Sequence, residues 1–196
     1  MSSTKPGKEL VMDALFHSFL LVAIGEIGDK TQLLAMFLAC RYKRPLPLML
    51  GIIIATLLNH ALAAWVGETI GMKLDGYAMQ WIVALSFIAI GIWVLKPDSL
   101  DESSVKKDYG AFATTLVAFF MAEMGDKTQL VTVALAAEYK AFGVVLAGTT
   151  LGMLAANLPA VFCGNWLLAK IPLQVVRYTA SLLFFAFGLL ILCRMT

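Results

Sequence analysis

The strongest constraint on this chain is that it repeats itself. Residues 26–43 and 123–140 are identical at eleven of eighteen positions, at a constant offset of 97. The same offset sets Gly51 against Gly148, Gly67 against Gly164, Gly91 against Gly188 and His60 against Asn157. Self-similarity at a fixed period means that one supersecondary unit is used twice. The shared words at its centre are GEIGDKTQL at 25–33 and AEMGDKTQL at 122–130. Each copy places two carboxylates and an ammonium inside a long apolar run.

The surroundings of those charges define their solvent. Of the 196 residues, 60% are hydrophobic and 14% charged, with a mean hydropathy of +0.83. Ordinary soluble domains carry about 25% charged residues, so the chain reads as a membrane protein. A span needs about 20 apolar residues. Six segments qualify: 12–40 and 111–137, both interrupted by the charged words, and 47–66, 79–95, 141–163 and 175–193. The expected fold is therefore all-α and polytopic, with six transmembrane helices. Residues 1–97 form one three-helix repeat, 98–110 a polar linker and 111–196 the second repeat. Three spans per half is an odd number, so the second copy enters the membrane from the opposite side. That makes an inverted repeat and brings the two charged words together at mid-depth.

Composition excludes other classes. A net charge of +2 without a basic cluster argues against nucleic acid. Cys40, Cys163 and Cys193 lie in or beside apolar runs and read as small buried residues rather than a disulfide or metal set. The polar N-terminal stretch is followed by no small-residue cleavage site, so no removed leader is expected. Arg41, Lys43, Arg44, Lys96, Lys106, Lys107 and Lys170 fall on one side of the six-span plan. Lys5, Lys8, Lys73, Lys140 and Arg194 fall on the other. This bias puts the central linker in the cytoplasm and both termini outside it.

The charged words carry the chemistry. Glu26 and Asp29 are three residues apart, as are Glu123 and Asp126, so on a helix each pair shares a face, which Gln32 and Gln129 extend by a turn. Gly25, Gly28 and Gly125 permit close packing or a local break that exposes backbone carbonyls. Two such faces would gather four carboxylates and two amide oxygens, which are hard donors suited to calcium, magnesium or manganese. Lys30 and Lys127 have two readings: i,i+4 salt bridges to Glu26 and Glu123, or stand-ins for an absent cation. Thr31 and Thr128 donate to a carboxylate, line the site, or bond back to the helix backbone. Asn59 and Asn157 lie mid-span as ligands or as helix–helix hydrogen bonds, with Asn157 favoured because it matches His60. His60 itself reads as a packed histidine, and His17 is assigned no role. Carboxylates crowded away from water can take up a proton when a metal leaves, which is the minimal machinery for metal/proton exchange.

Glu-hydrophobic-Gly-Asp-Lys-Thr, present twice in a chain of six apolar segments, resembles the signature of the Gdt family (uncharacterised protein family sixteen) across essentially the whole chain. The resemblance is nearest to its compact bacterial manganese exporters of the MneA type. It implies export of Mn²⁺ from the cytoplasm across a bacterial inner membrane, with Ca²⁺ carried by some members and protons as the exchanged ion. It also implies that Glu26, Asp29, Glu123 and Asp126 bind the cation, and no resident cofactor is implied. A Ca²⁺/H⁺ antiporter with the same site is the nearest rival. An intramembrane metal-dependent enzyme is a rival of another class, but the chain has no HExxH, and doubled acids suit alternating access better than one reaction centre. A structural membrane subunit, with the charges as assembly glue, is the third.

Overall fold

The computed structural model describes residues 6–74, 76–97, 108–163 and 172–195, and every regular element among them is an α-helix. The helices are α1 (Pro6–Glu26), α2 (Lys30–Tyr42), α3 (Pro45–Lys73), α4 (Gly76–Trp93), α5 (Ala111–Glu123), α6 (Lys127–Tyr139), α7 (Phe142–Cys163) and α8 (Leu173–Cys193). Four of them, α3, α4, α7 and α8, are long and apolar enough to cross a membrane. The pair α1 and α2, bent by 67° at the first charged word, makes a fifth. The second charged word likewise splits its segment, leaving α5 as an apolar helix of 13 residues. The outer surface suits lipid: Leu62, Trp65, Tyr178 and Leu182 all point outward and are more than half exposed.

Packing crosses between the halves. The largest helix contacts are α1 on α7, α3 on α5 and α6, and α4 on α8. They are reciprocal at the sequence offset. A Cβ at Gly51 would press on Thr115 and Phe112 of α5, and one at Gly148 would press on Ser18 and Leu15 of α1. Gly91 lies on Ser181 and Phe185, while Gly188 lies on Ala84 and Ile88. In each case the contacted residues are themselves 97 apart. Contacts in which i meets j and j meets i are those of an isologous pair. Lipid supplies no hydrophobic drive between helices, so close approach at small residues carries the packing. Gly67 and Gly71 of α3 accordingly sit against the backbone of α6 at Val133 and Ala137 and against the Ala136 methyl. Between α4 and α8, Phe87 and Phe187 pack edge to face with centroids 4.7 Å apart.

The helix ends repeat as well. α2 and α6 each stop at a lysine in the left-handed region, Lys43 (φ 51) and Lys140 (φ 49). Their N–H groups close onto Ala39 O and Ala136 O at 3.0 Å each. The preceding tyrosines tie the halves together. Tyr42 Oη donates to Asp108 Oδ1 at 2.7 Å, and Tyr139 Oη lies 2.6 Å from His17 Nδ1. The Tyr42 hydroxyl, the Gly110 N–H and Arg41 hold the exposed Asp108 carboxyl below the usual carboxylate range.

Several expectations are corrected. α1 begins at Pro6, and α3 runs on to Lys73 instead of ending near 66. Glu68 is tolerated within that extension because it accepts the Phe142 N–H, at 3.0 Å, from the start of α7. Cys40 and Cys193 are exposed rather than buried. An outward thiol in lipid is simply a small apolar group. The Cys163 side chain lies outside those described. Lys5, most of the linker (Asp98, Asp101, Glu102, Lys106 and Lys107), and Gly164 and Lys170 lie outside the described residues.

The glycine contacts give a direct test. Gly67→Ala forces a methyl group into the α6 backbone and should destabilise the protein by about 1–3 kcal/mol, read as a lower thermal midpoint in detergent. Gly143→Ala, where a Cβ meets no described residue within 4 Å, should leave the midpoint unchanged or raise it.

Candidate cation site

Each charged word is a helix break rather than a helix face. Glu26 ends α1, Gly28 takes φ +81, and Asp29 is the N-cap of α2. Glu123, Gly125 (φ +77) and Asp126 do the same between α5 and α6. The turns close through Asp29 N–H to Glu26 O at 3.0 Å and Asp126 N–H to Glu123 O at 3.1 Å. Positive φ is open to glycine at little cost, which accounts for the repeated Gly. The expected shared face for each Glu/Asp pair is therefore not formed. Instead, a helix C-terminus and a helix N-terminus meet at each break, where backbone groups need partners from outside the helix.

The rest of the motif secures this break. Gln32 and Gln129, at the third helical position, reach back so that Oε1 accepts the N–H of Gly28 (2.8 Å) and of Gly125 (2.6 Å). This is the glutamine arm of a capping box, moved one residue upstream. Gln32 Nε2 also donates to Ala156 O on α7 at 2.7 Å. Thr31 Oγ1 donates to Glu26 Oε2 at 2.8 Å, and Thr128 Oγ1 to Glu123 Oε2 at 3.0 Å. Of the three roles open to the threonines, orienting a carboxylate is the one formed.

The lysines cross between copies. Lys127 Nζ donates to Asp29 Oδ1, and Lys30 Nζ lies 3.4 Å from Asp126 Oδ1. The i,i+4 pairs Glu26–Lys30 and Glu123–Lys127 are replaced by these contacts, because the breaks turn α2 and α6 away from the preceding glutamates.

Three acids converge. Glu26, Glu123 and Asp126 each place an oxygen in a group whose members lie within 4.8 Å of one another. All three are buried, at 0%, 1% and 3% exposure. Glu26 Oε1, Glu123 Oε1 and Asp126 Oδ2 have no hydrogen-bond partner among the described residues. An isolated charge at mid-membrane costs about 2.5–3.5 kcal/mol or more. Three carboxylates together need protons or a cation, and their hard oxygens fit a divalent one. Asp29, the fourth expected acid, stands outside this group and receives the Lys127 ammonium.

The remaining candidates divide. Asn59 Nδ2 donates across to Phe120 O at 3.0 Å, a helix–helix hydrogen bond. Asn157 Nδ2 turns to Met153 O of its own helix at 3.1 Å. Both Oδ1 atoms lack a partner among the described residues, as do both ring nitrogens of the fully buried His60. Thr56, overlooked in the sequence, belongs with them: it is buried, its hydroxyl lacks a partner among the described residues, and it lies one turn before His60. Its signal was the spacing Thr56, Asn59, His60 on an otherwise apolar helix.

Long apolar helices around a buried cluster of acids mark an integral membrane protein, and its relatives are cation transporters. The family model described as "Divalent cation/proton antiporter GDT1" matches residues 14–102 and 111–196. The chain belongs to that family. It is 45% identical over 182 residues to a Vibrio cholerae protein named "Putative manganese exporter", covering 92% of this chain and 91% of that protein. A GDT1-like protein of Synechocystis is 29% identical over 200 residues, covering 91% of this chain and 96% of its own. GDT1-like protein 3 of rice is 28% identical over 207 residues, covering 91% and 73%. No solved structure matches.

If the three acids hold a divalent cation, the cation should stabilise the fold. At a hundredfold excess over Kd the gain is about 2.7 kcal/mol, seen as a rise in thermal midpoint. Glu123→Gln and Asp126→Asn should abolish that rise. Thr179→Val, on the exposed face of α8, should keep it.

Proposed function

We propose that this protein exports Mn²⁺ from the bacterial cytoplasm in exchange for protons. On this reading residues 1–97 and 111–196 are inverted three-helix halves joined by 98–110. The paired helices α1–α2 and α5–α6 supply the first and fourth of six spans in the inner membrane, with both termini outside the cytoplasm. The observation that carries the function is the meeting of three buried carboxylates, drawn from both halves, within 4.8 Å. The reciprocal glycine contacts support a two-fold relation between the halves, and an odd number of spans in each consecutive half makes such a repeat an inverted one. The Vibrio relative's name and the family's description support the cargo and the exchange.

The residues then divide by task. Glu26, Asp29, Glu123 and Asp126 hold the cation or the protons that replace it, and Lys30 and Lys127 balance charge. Asn157 and Asn59 offer their free Oδ1 atoms as further donors. Thr31 and Thr128 orient the glutamates, while Gln32 and Gln129 hold the breaks open. Carboxylates that must shed a divalent charge before the empty site recrosses take up protons to do so, which couples the two fluxes.

The test is metal flux in proteoliposomes, with Mn²⁺ and Ca²⁺ compared with and without a pH gradient. Mn²⁺ uptake should follow the gradient and fall at least tenfold in Asp126→Asn and Asp29→Asn. Uptake of Ca²⁺ alone would make the protein a Ca²⁺/H⁺ antiporter of the same design. No flux of either ion through folded protein would refute the transport reading.

A further inference from the structure

The two copies of the motif share Glu, Gly, Asp, Lys, Thr and Gln but not their surroundings. Lys127 is buried against Asp29, with 5% of its side chain exposed, whereas Lys30 beside Asp126 is 27% exposed. Leu173 of α8 fills the space next to Gly28, whereas no described residue lies within 4 Å of a Cβ at Gly125. Ile27 and Gly28 are half-buried where Met124 and Gly125 are exposed. Gln32 is buried and bound to α7, while Gln129 is half-buried. The acids follow the same division. Asp126 joins Glu26 and Glu123 around the cation site, and Asp29 is turned to Lys127 instead. Among the described residues the first break is the more enclosed and the second the more open.

We propose that Lys127 and Lys30 are alternating positioning residues, each drawing the aspartate of the opposite motif out of the cation site when the break bearing that aspartate is closed. The inference rests on the transport reading above. In the state seen here, Lys127 holds Asp29, and the cation site is Glu26, Glu123 and Asp126, reached past the second break. In the exchanged state, Lys30, here 3.4 Å from Asp126 Oδ1, closes fully onto it, Lys127 releases Asp29, and the site is Glu26, Glu123 and Asp29, reached past the first break. The contacts at Gly51 and Gly148, and at Gly91 and Gly188, are reciprocal at the offset of 97, which gives the two halves an equivalent framework for the exchange. Each state offers the cation two glutamates and one aspartate, with the closer and more buried of the two Asp–Lys pairs set aside. The number and kind of ligands are thus the same on both sides of the membrane, and direction comes from the gradients. Exchange between two packings of repeated units around a fixed site is the general form of alternating access.

Thiol labelling reads this without transport. Cys40, Cys163 and Cys193 are replaced by Ala, and Met124→Cys or Ile27→Cys is added singly. The purified protein is then treated with a charged methanethiosulfonate, which reacts only where water reaches. Met124→Cys should label about tenfold faster than Ile27→Cys, a ratio set by the populations of the two states. Adding Lys127→Gln should speed labelling at 27 and slow it at 124. Adding Lys30→Gln should do the reverse, and Lys127→Arg should retain the original order. A lysine that only stabilised the fold would change both rates together. Equal rates at the two positions, or the same direction of change from both Gln variants, overturns the proposal. Mn²⁺ flux through the original chain, measured separately, distinguishes the failures. Flux with equal labelling overturns the lysine exchange alone. The expected labelling order with no flux removes the transport reading, and the exchange with it.

Discussion

Charge buried away from water has to be answered by other charge, and here neither half of the chain can answer its own. Asp29 is matched by Lys127 and Asp126 by Lys30, so each ion pair spans the two copies. An ion pair buried in a medium of low polarity is weak as a source of net stability, but breaking one is costly. On the exchange proposed above, that asymmetry suits acids that pair, release and pair again. It also forces the halves into contact at one depth, and the remaining packing conforms to that meeting.

The motif can be understood letter by letter once it is seen as a break. Glycine supplies the left-handed turn, and glutamine satisfies the N–H that the turn frees. Threonine fixes the rotamer of the preceding glutamate, and aspartate starts the next helix while facing the lysine of the other copy. None of these roles requires a continuous helix. All depend on the chain turning by tens of degrees within three residues, as the 67° bend between α1 and α2 records.

Much of this was legible in the sequence, and the exceptions have physical causes. The offset of 97 located the reciprocal contacts, because packed units that are copies must exchange equivalent residues. Glu26, Glu123 and Asp126 could be named because acids in an apolar run are rarely idle. The direction of the lysines could not. Spacing of four argued for Glu26–Lys30, and only the φ +81 at Gly28, a backbone property, turns Lys30 toward the other copy. The unequal standing of Asp29 and Asp126 was invisible for a deeper reason, since identical letters carry no record of which copy is closed. The exposure of Cys40 and Cys193 was misjudged because an apolar run in lipid has no inside to prefer.

The cross-half packing of α1 on α7 and of α3 on α5 and α6 also has a consequence for biosynthesis. The ribosome completes the first four helices before the partners of α1 and α3 exist. Until α5 to α7 arrive, Glu26, Asp29 and Lys30 are in or beside the bilayer without the groups that will neutralise them. The nascent chain therefore passes through a stage that lipid solvates poorly, and its lifetime is set by the speed of translation and insertion. A slow codon or a stalled insertion event between residues 43 and 111 would prolong that stage and expose the chain to membrane quality control, although every residue of the finished protein is sound.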